Sequence, residues 1–308
     1  VITYSDVIAG GLCPQELTIT RTWIVTNDCN LSDTCVQTIM VVDTTAPVIT
    51  CPPNLTLECT SSTSPDSTGV ATAIDNCDTI PLVTFSDSIV GGACPQEYII
   101  TRTWVATDDC GNSSSCVQTI DIVDTTPPLI ACPGNITIEC TASTAPANTG
   151  TATATDNCDG TPTITFTDVV TPGSCPQEST IARTWSATDD CGNTSTCLQT
   201  ITVDDSMAPT IACPGNITIE CTASTAPANT GTATATDNCD GTPTVTFTDV
   251  VTPGSCPQES TIARTWSATD DCGNTSTCLQ TITVDDSMAP TITCPANITI
   301  ECTASTAP

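Results

Sequence analysis

Carboxylates and cysteines carry the chemistry this sequence offers, and both recur every 81 residues. Asp237, Asp240, Asp270 and Asp271 flank two turn cysteines, and Asp204 and Asp205 close the linker before them. One period earlier the same places hold Asp124, Asp156, Asp159, Asp189 and Asp190; before that, Asp43, Asp75, Asp78, Asp108 and Asp109. Hard oxygen donors at this density, in a chain without lysine, suit Ca²⁺, which takes about six to eight oxygens. Left unneutralised, such carboxylates would repel one another. Linker and turn acids are therefore expected to meet at junctions between repeats, with Ca²⁺ as the cofactor. There is no EF-hand loop, and the alternative is a set of Asx turns with solvated charge.

A full period holds six cysteines, for example Cys51, Cys59, Cys77, Cys94, Cys110 and Cys116. With no histidine and no C-x-x-C pair, zinc is a poor reading, and disulfides formed in an oxidising, extracellular setting are the better one. Only 3% of residues are aromatic. A domain this small buries little apolar area and needs covalent staples. Closing a 65-residue loop such as Cys51 to Cys116 stabilises by about 4 kcal/mol in the chain-entropy model.

The four basic residues are Arg21, Arg102, Arg183 and Arg264, each in an Arg-x-Trp step that places both side chains on one strand face. Ion pairs are expected for Asp6–Arg21, Asp87–Arg102, Asp168–Arg183 and Asp249–Arg264, with Glu259 as a competing partner for the last arginine. A net charge of -30 excludes nucleic acid and anionic membrane as partners, and no apolar run reaches membrane-spanning length. Without histidine or lysine the usual general bases and nucleophile activators are missing, so no enzymatic activity and no catalytic residue is expected. Sequons stand at Asn30, Asn54, Asn112, Asn135, Asn193, Asn216, Asn274 and Asn297.

The elements that must position these residues are short strands. In the repeat 208–288, Thr210–Cys221 reads as extended and broken at Pro214-Gly215. Thr222–Thr230 reads as a loop, and Gly231–Asp237, Thr244–Val251, Ser260–Thr269 and Cys278–Asp285 read as strands separated by turn clusters. Nothing has helical period. The pattern is an all-β tandem array of sandwiches. Its divisions are a partial domain at 1–45, full domains at 46–126, 127–207 and 208–288, and a partial one at 289–308. Proline-containing linkers should hold neighbours end to end. Residues 131–211 and 212–292 differ only at Ile164 against Val245. The chain starts and stops inside a repeat and reads as a window on a longer array.

Ala289-Pro-Thr-Ile-Thr-Cys-Pro-Ala-Asn-Ile298, Asp237-Asn-Cys239 and Ala268-Thr-Asp-Asp-Cys-Gly-Asn274 resemble the hyalin repeat, or HYR domain. The extra cysteines and Arg-Thr-Trp resemble the HYR-like form in secreted or surface proteins of Bacteroidota-type bacteria. The resemblance implies an immunoglobulin-like fold, a role in adhesion or extracellular structure, and no catalysis. An immunoglobulin-like path then suggests one disulfide scheme within each domain. In it Cys51 pairs with Cys116, Cys59 with Cys94 and Cys77 with Cys110. The next copies give Cys132 with Cys197, Cys140 with Cys175, Cys158 with Cys191, then Cys213 with Cys278, Cys221 with Cys256 and Cys239 with Cys272. A local Cys272–Cys278 loop is the rival. The function expected is a structural extracellular fibre or surface stalk whose partners are copies of itself or further repeats. The alternatives are an adhesion module for glycans or a cell surface, and a passive spacer.

Overall fold

The computed structural model describes residues 1–299. Residues 1–45 form β1 (Ile2–Gly10), β2 (Leu17–Thr26) and β3 (Ser32–Val41). The repeat 46–126 forms β4 (Val48–Thr50), β5 (Leu55–Glu58), α1 (Pro65–Thr68), β6 (Thr72–Ile74), β7 (Leu82–Gly91), β8 (Tyr98–Thr107) and β9 (Ser113–Val123). In 127–207 the same order gives β10 (Leu129–Ala131), β11 (Ile136–Glu139), α2 (Pro146–Thr149), β12 (Thr153–Thr155), β13 (Thr163–Pro172), β14 (Ser179–Thr188) and β15 (Thr194–Asp204). In 208–288 it gives β16 (Thr210–Ala212), β17 (Ile217–Glu220), α3 (Pro227–Thr230), β18 (Thr234–Thr236), β19 (Thr244–Pro253), β20 (Ser260–Thr269) and β21 (Thr275–Asp285). The class is the expected one, all-β with tandem immunoglobulin-like sandwich repeats. Residues 289–299 carry no regular element, and the remainder of the first strand expected in 289–308, with Cys302, lies outside the described residues.

The described chain divides into two compact units. One comprises Val1–Pro133, Gly150–Thr167 and Arg183–Gln199; the other comprises Gly134–Thr149, Asp168–Ala182 and the residues from Thr200 onward. The repeat 46–126 lies in the first and 208–288 in the second, and each has the same two sheets. In 208–288, β16 pairs antiparallel with β18, while β17 runs parallel to β21, opposing Ile217 to Ile282. The Pro214-Gly215 break is what lets the first strand leave one sheet and join the other, since proline cannot continue a ladder. The larger sheet has the order β17-β21-β20-β19, matching β5-β9-β8-β7 in 46–126.

Strand alternation builds the core. Along β20 every second residue is buried: Ile262, Arg264, Trp266 and Ala268. Ile262, Ile282 and Val284 cluster with Ile217, Ile219 and Cys221, and Ile100, Ile120 and Ile122 do the same in 46–126. One departure from the sequence reading is a single helical turn, α3, inside the expected Thr222–Thr230 loop. Pro227 opens it with a pre-set φ, and Gly231 closes it at φ +98°, with room for no side chain: a Cβ there would lie 2.7 Å from Pro214 Cβ. This turn also shortens the expected Gly231–Asp237 strand to Thr234–Thr236.

Candidate junction site

Eight disulfides hold the described chain. Three close a repeat on itself: Cys51–Cys116, Cys132–Cys197 and Cys213–Cys278, each with Cα atoms 5.9 Å apart. The other five cross from one repeat to the next, and every one lies inside one of the two compact units. Cys13 pairs with Cys110, Cys94 with Cys191 and Cys175 with Cys272. Cys59 pairs with Cys158, and Cys140 with Cys239. This corrects the within-domain scheme. Cys59–Cys94, Cys77–Cys110, Cys140–Cys175, Cys158–Cys191, Cys221–Cys256 and Cys239–Cys272 do not form, nor does Cys272–Cys278. The physical reason is register along the chain. Cysteines at one end of a repeat meet the turn cysteines of its successor at separations of 97 and 99 residues, longer than the period itself. Cys29, Cys35, Cys77, Cys221, Cys256 and Cys294 form no disulfide. At the separations seen elsewhere, none has a partner position within the chain.

These bridges place carboxylates from successive repeats together. Cys59 follows Glu58, and its partner Cys158 lies two residues after Asp156. In the linker between them Asp124 is 3% exposed. Its backbone carbonyl accepts a 2.9 Å hydrogen bond from Asn193 Nδ2, and the neighbouring Pro128 carbonyl accepts one from the Ser195 hydroxyl. Glu58 accepts a hydrogen bond from the Thr125 hydroxyl. The linker is thus anchored to both repeats by its backbone and Thr125. Asp124 Oδ1 accepts a 3.4 Å bond from the Thr126 amide, while its Oδ2 has no hydrogen-bond partner, nor does Asp156 Oδ2. Burial pushes the Asp124 carboxyl above the usual carboxylate range, and the charges of Asp156, Asp189 and Glu58 push it further, against the Thr126 amide.

The second unit repeats the arrangement around Asp205, also 3% exposed. Asn274 Nδ2 donates to the Asp205 carbonyl at 2.8 Å, and Ser206 donates its hydroxyl to Glu139. Both oxygens of Asp205 and Oε2 of Glu139 are buried without a partner. Burial raises the Asp205 carboxyl, followed by the charges of Asp237 and Asp270; the Met207 amide, short of a hydrogen bond, opposes them, and Glu139 adds a smaller push. Near the first linker, Asp43 Oδ2 and Asp75 Oδ2 are likewise unpartnered. The Cys77 thiol there is pushed up by burial and then by Asp43, Asp75 and Asp108.

The expected acids therefore fall into two sets. Asp43, Asp75, Asp124, Asp156 and Asp205 present buried oxygens that the chain leaves unpaired. The rest are engaged in turns or exposed. Asp78, Asp159 and Asp240 each accept two backbone amides, as when Asp240 takes Thr242 at 2.8 Å and Asp271 at 3.2 Å. Asp108, Asp189 and Asp270 accept the amides of the turn that follows and the side chain of Asn112, Asn193 or Asn274. Burial alone would raise Asp108, but the Asn112 side chain and three amides outweigh it and hold it below the usual range. Asp237 is lowered in the same way by the amides of Asp240, Cys239 and Asn238, against burial. Asp109, Asp190 and Asp271 are exposed, and Asp204 is half-buried at the end of β15. The sequence reading missed Glu58 and Glu139, whose signal was their position immediately before the bridging cysteines. Groupings such as Glu58, Cys59 and Cys158 offer only the carboxylate to a metal, because the sulfurs are in a disulfide. Three of the sequon asparagines, Asn112, Asn193 and Asn274, already spend their side-chain amide inside the fold.

The arginines sit apart from the junctions. Arg264 is 2% exposed. It donates Nε and Nη2 to Asp249 at 2.8 Å, Nη1 to Thr230 and Nη2 to the Thr225 carbonyl. Its guanidinium lies 4.3 Å from the Phe247 ring centre. Arg102 repeats this with Asp87, and Arg21 pairs with Asp6 on a more exposed face. Arg183 is buried 4.4 Å over Phe166. Glu259, the competing partner, accepts the Ser255 hydroxyl instead. Behind this layer Gln280, fully buried, accepts from Trp266 Nε1 and donates to the Thr230 and Gly215 carbonyls.

Residues 128–203 match the family described as the HYR-like domain with 4 cysteines. That stretch carries six cysteines, and 209–284 repeats it with Thr210 for Leu129 and Val245 for Ile164. No curated protein matches the chain. Among solved structures it is similar to protocadherin gammaB7 EC3-6, at 13% identity, 92% of this chain, 93% of that one and a TM-score of 0.32. It is also similar to Drosophila N-cadherin EC1-4 (12%, 92% and 92%, TM-score 0.26) and to mouse cadherin-23 EC22-24 (14%, 78% and 99%, TM-score 0.30). No helix among the described residues is long and apolar enough to cross a membrane.

Proposed function

We propose that the chain is a structural extracellular protein, a fibre or surface stalk of tandem disulfide-bonded repeats with Ca²⁺ bound at the repeat junctions. The observation that carries this reading is the set of buried linker carboxylates whose oxygens find no donor in the chain. A buried carboxylate without a partner is costly, and a hard divalent cation is the ligand that relieves it. At one junction the unpaired oxygens of Asp124 and Asp156 would hold the ion, and at the next those of Asp205 and Glu139. The ion would neutralise the cluster and tie the linker to both repeats. Disulfides crossing the same junctions support a load-bearing role in an oxidising, extracellular setting. The partners would be repeats of the same kind. Electron microscopy of the oxidised chain, with Ca²⁺ and then with chelator, tests the reading. Straight particles that become visibly bent on chelation support it; the same spread of bend angles in both conditions contradicts it.

A further inference from the structure

Each large sheet leaves one long strand at its edge, β7 beside β8 and β19 beside β20, with β13 in the same place in its sheet and β1 beside β2. Every residue of β1 is exposed, and all but one residue in each of β7, β13 and β19. The exposed side chains mix threonine and serine with apolar, mostly β-branched residues. Val7 and Ile8, Ile89 and Val90, Val169 and Val170, and Val250 and Val251 are between 58% and 68% exposed.

An edge strand offers a row of unpaired amides and carbonyls, and proteins normally guard it with lysine, inward-facing charge, proline or brevity. Two of those guards, lysine and brevity, are absent. The strands are nine or ten residues long, and proline enters only at Pro172 and Pro253, their last residues. Each carries one charged residue, Asp6, Asp87, Asp168 or Asp249. Asp6, Asp87 and Asp249 are neutralised by arginine across the hairpin. In a chain of net charge -30 these are strips of threonine, serine and β-branched apolar side chains with little free charge.

That contrast identifies the occupant. A basic partner would be drawn to the carboxylates, not to the neutral strip. A second copy is repelled by the acidic surface and meets no repulsion only along the strip. There an antiparallel copy matches it in hydrogen bonds and in β-branched side chains. Four such edges in one chain let weak single contacts add through effective concentration. We propose that chains of this protein join side by side through these strands, β19 or its equivalents pairing antiparallel with the same strand of another copy. The proposal goes beyond the junction reading and does not need the metal.

Sedimentation velocity on the oxidised chain tests it. Free thiols are alkylated and chelator is present, so neither intermolecular disulfides nor Ca²⁺ contributes. Wild type should associate as concentration rises, and more strongly at high salt, where the repulsion between acidic surfaces is screened. Ser88→Glu, Val169→Glu and Val250→Glu, combined, place like charges across the proposed pairing and should weaken association by about tenfold or more. The control combines Val117→Glu, Leu198→Glu and Leu279→Glu on β9, β15 and β21. These positions are 55% to 60% exposed on strands two removed from the proposed pairing edge. The control should associate like wild type. A monomeric wild type at every concentration and salt would overturn the proposal, as would a control weakened as much as the edge variant.

Discussion

Buried charge is handled in two opposite ways in this molecule. In the core of 208–288, Arg264 has Asp249, Thr230 and the Thr225 carbonyl around it. Gln280 beneath it has every polar atom bonded. At the junction before that core, Asp205 is as deeply buried as Arg264, yet neither carboxylate oxygen has a partner. A burial that the chain satisfies by itself is structure. One that it leaves open, on a backbone pinned by Asn274 and beside a disulfide, is the feature on which the proposed Ca²⁺ site rests.

The contrast can first be broken from the core side. Arg264→Leu leaves Asp249, Thr230 and the Thr225 carbonyl without their donor. Because Asp249 is about a quarter exposed, the cost should be about 2–3 kcal/mol, less than for a fully buried pair. Denaturant unfolding of the oxidised chain reads it, and Ca²⁺ should not restore the loss. The matching Arg21→Leu, whose pair with Asp6 is a quarter exposed on both sides, should shift unfolding far less.

A smaller effect with a change of sign sharpens the junction side. Asp205→Asn removes a buried negative charge from among Asp237, Asp270 and Glu139. In chelator it should stabilise the chain by about 1 kcal/mol, and in saturating Ca²⁺ it should destabilise it by a similar amount. Calorimetry in the two conditions gives both numbers, and the same sign in both would remove Asp205 from any metal site.

The smallest effect is in pH. Asp124 and Asp205 have folded pKa values above their unfolded ones, so their ionised forms oppose folding at neutral pH. That opposition lifts as pH falls through the raised values. Asp108, Asp237 and Asp249 are lowered; their contribution is complete above the unfolded pKa and is lost as pH falls through the lowered values. In chelator the melting temperature should therefore rise slightly, by about 2 °C, on mild acidification and fall at lower pH. The gap between Ca²⁺ and chelator should close over the same range, because protonated carboxylates do not bind the ion.

Much of the repeat was legible because strand alternation reports burial directly. Ser260–Thr269 is predicted as a strand and is β20, residue for residue, and the Asp249–Arg264 pair follows from two side chains on facing strands. Gln280 was not legible, since a glutamine on an apolar face gives no sign that three partners await it. The bridging cysteines were misassigned for a physical reason. Pairing each end of a sandwich with itself ignores that a linker of a few residues brings the next repeat's turn within reach. The same omission hid Glu58 and Glu139. The density of the linker and turn acids is plain in the sequence, but which of them keep a free oxygen depends on where each turn amide points, and composition does not carry that.

Isothermal titration of Ca²⁺ into the oxidised, chelator-stripped chain, beside the combined Asp124→Asn and Asp205→Asn variant, tests the central claim most directly. Saturable binding to wild type, with the variant losing the heat of these two junctions, is the result expected. No binding to wild type, or equal binding by the variant, would contradict the assignment of these buried carboxylates to a metal.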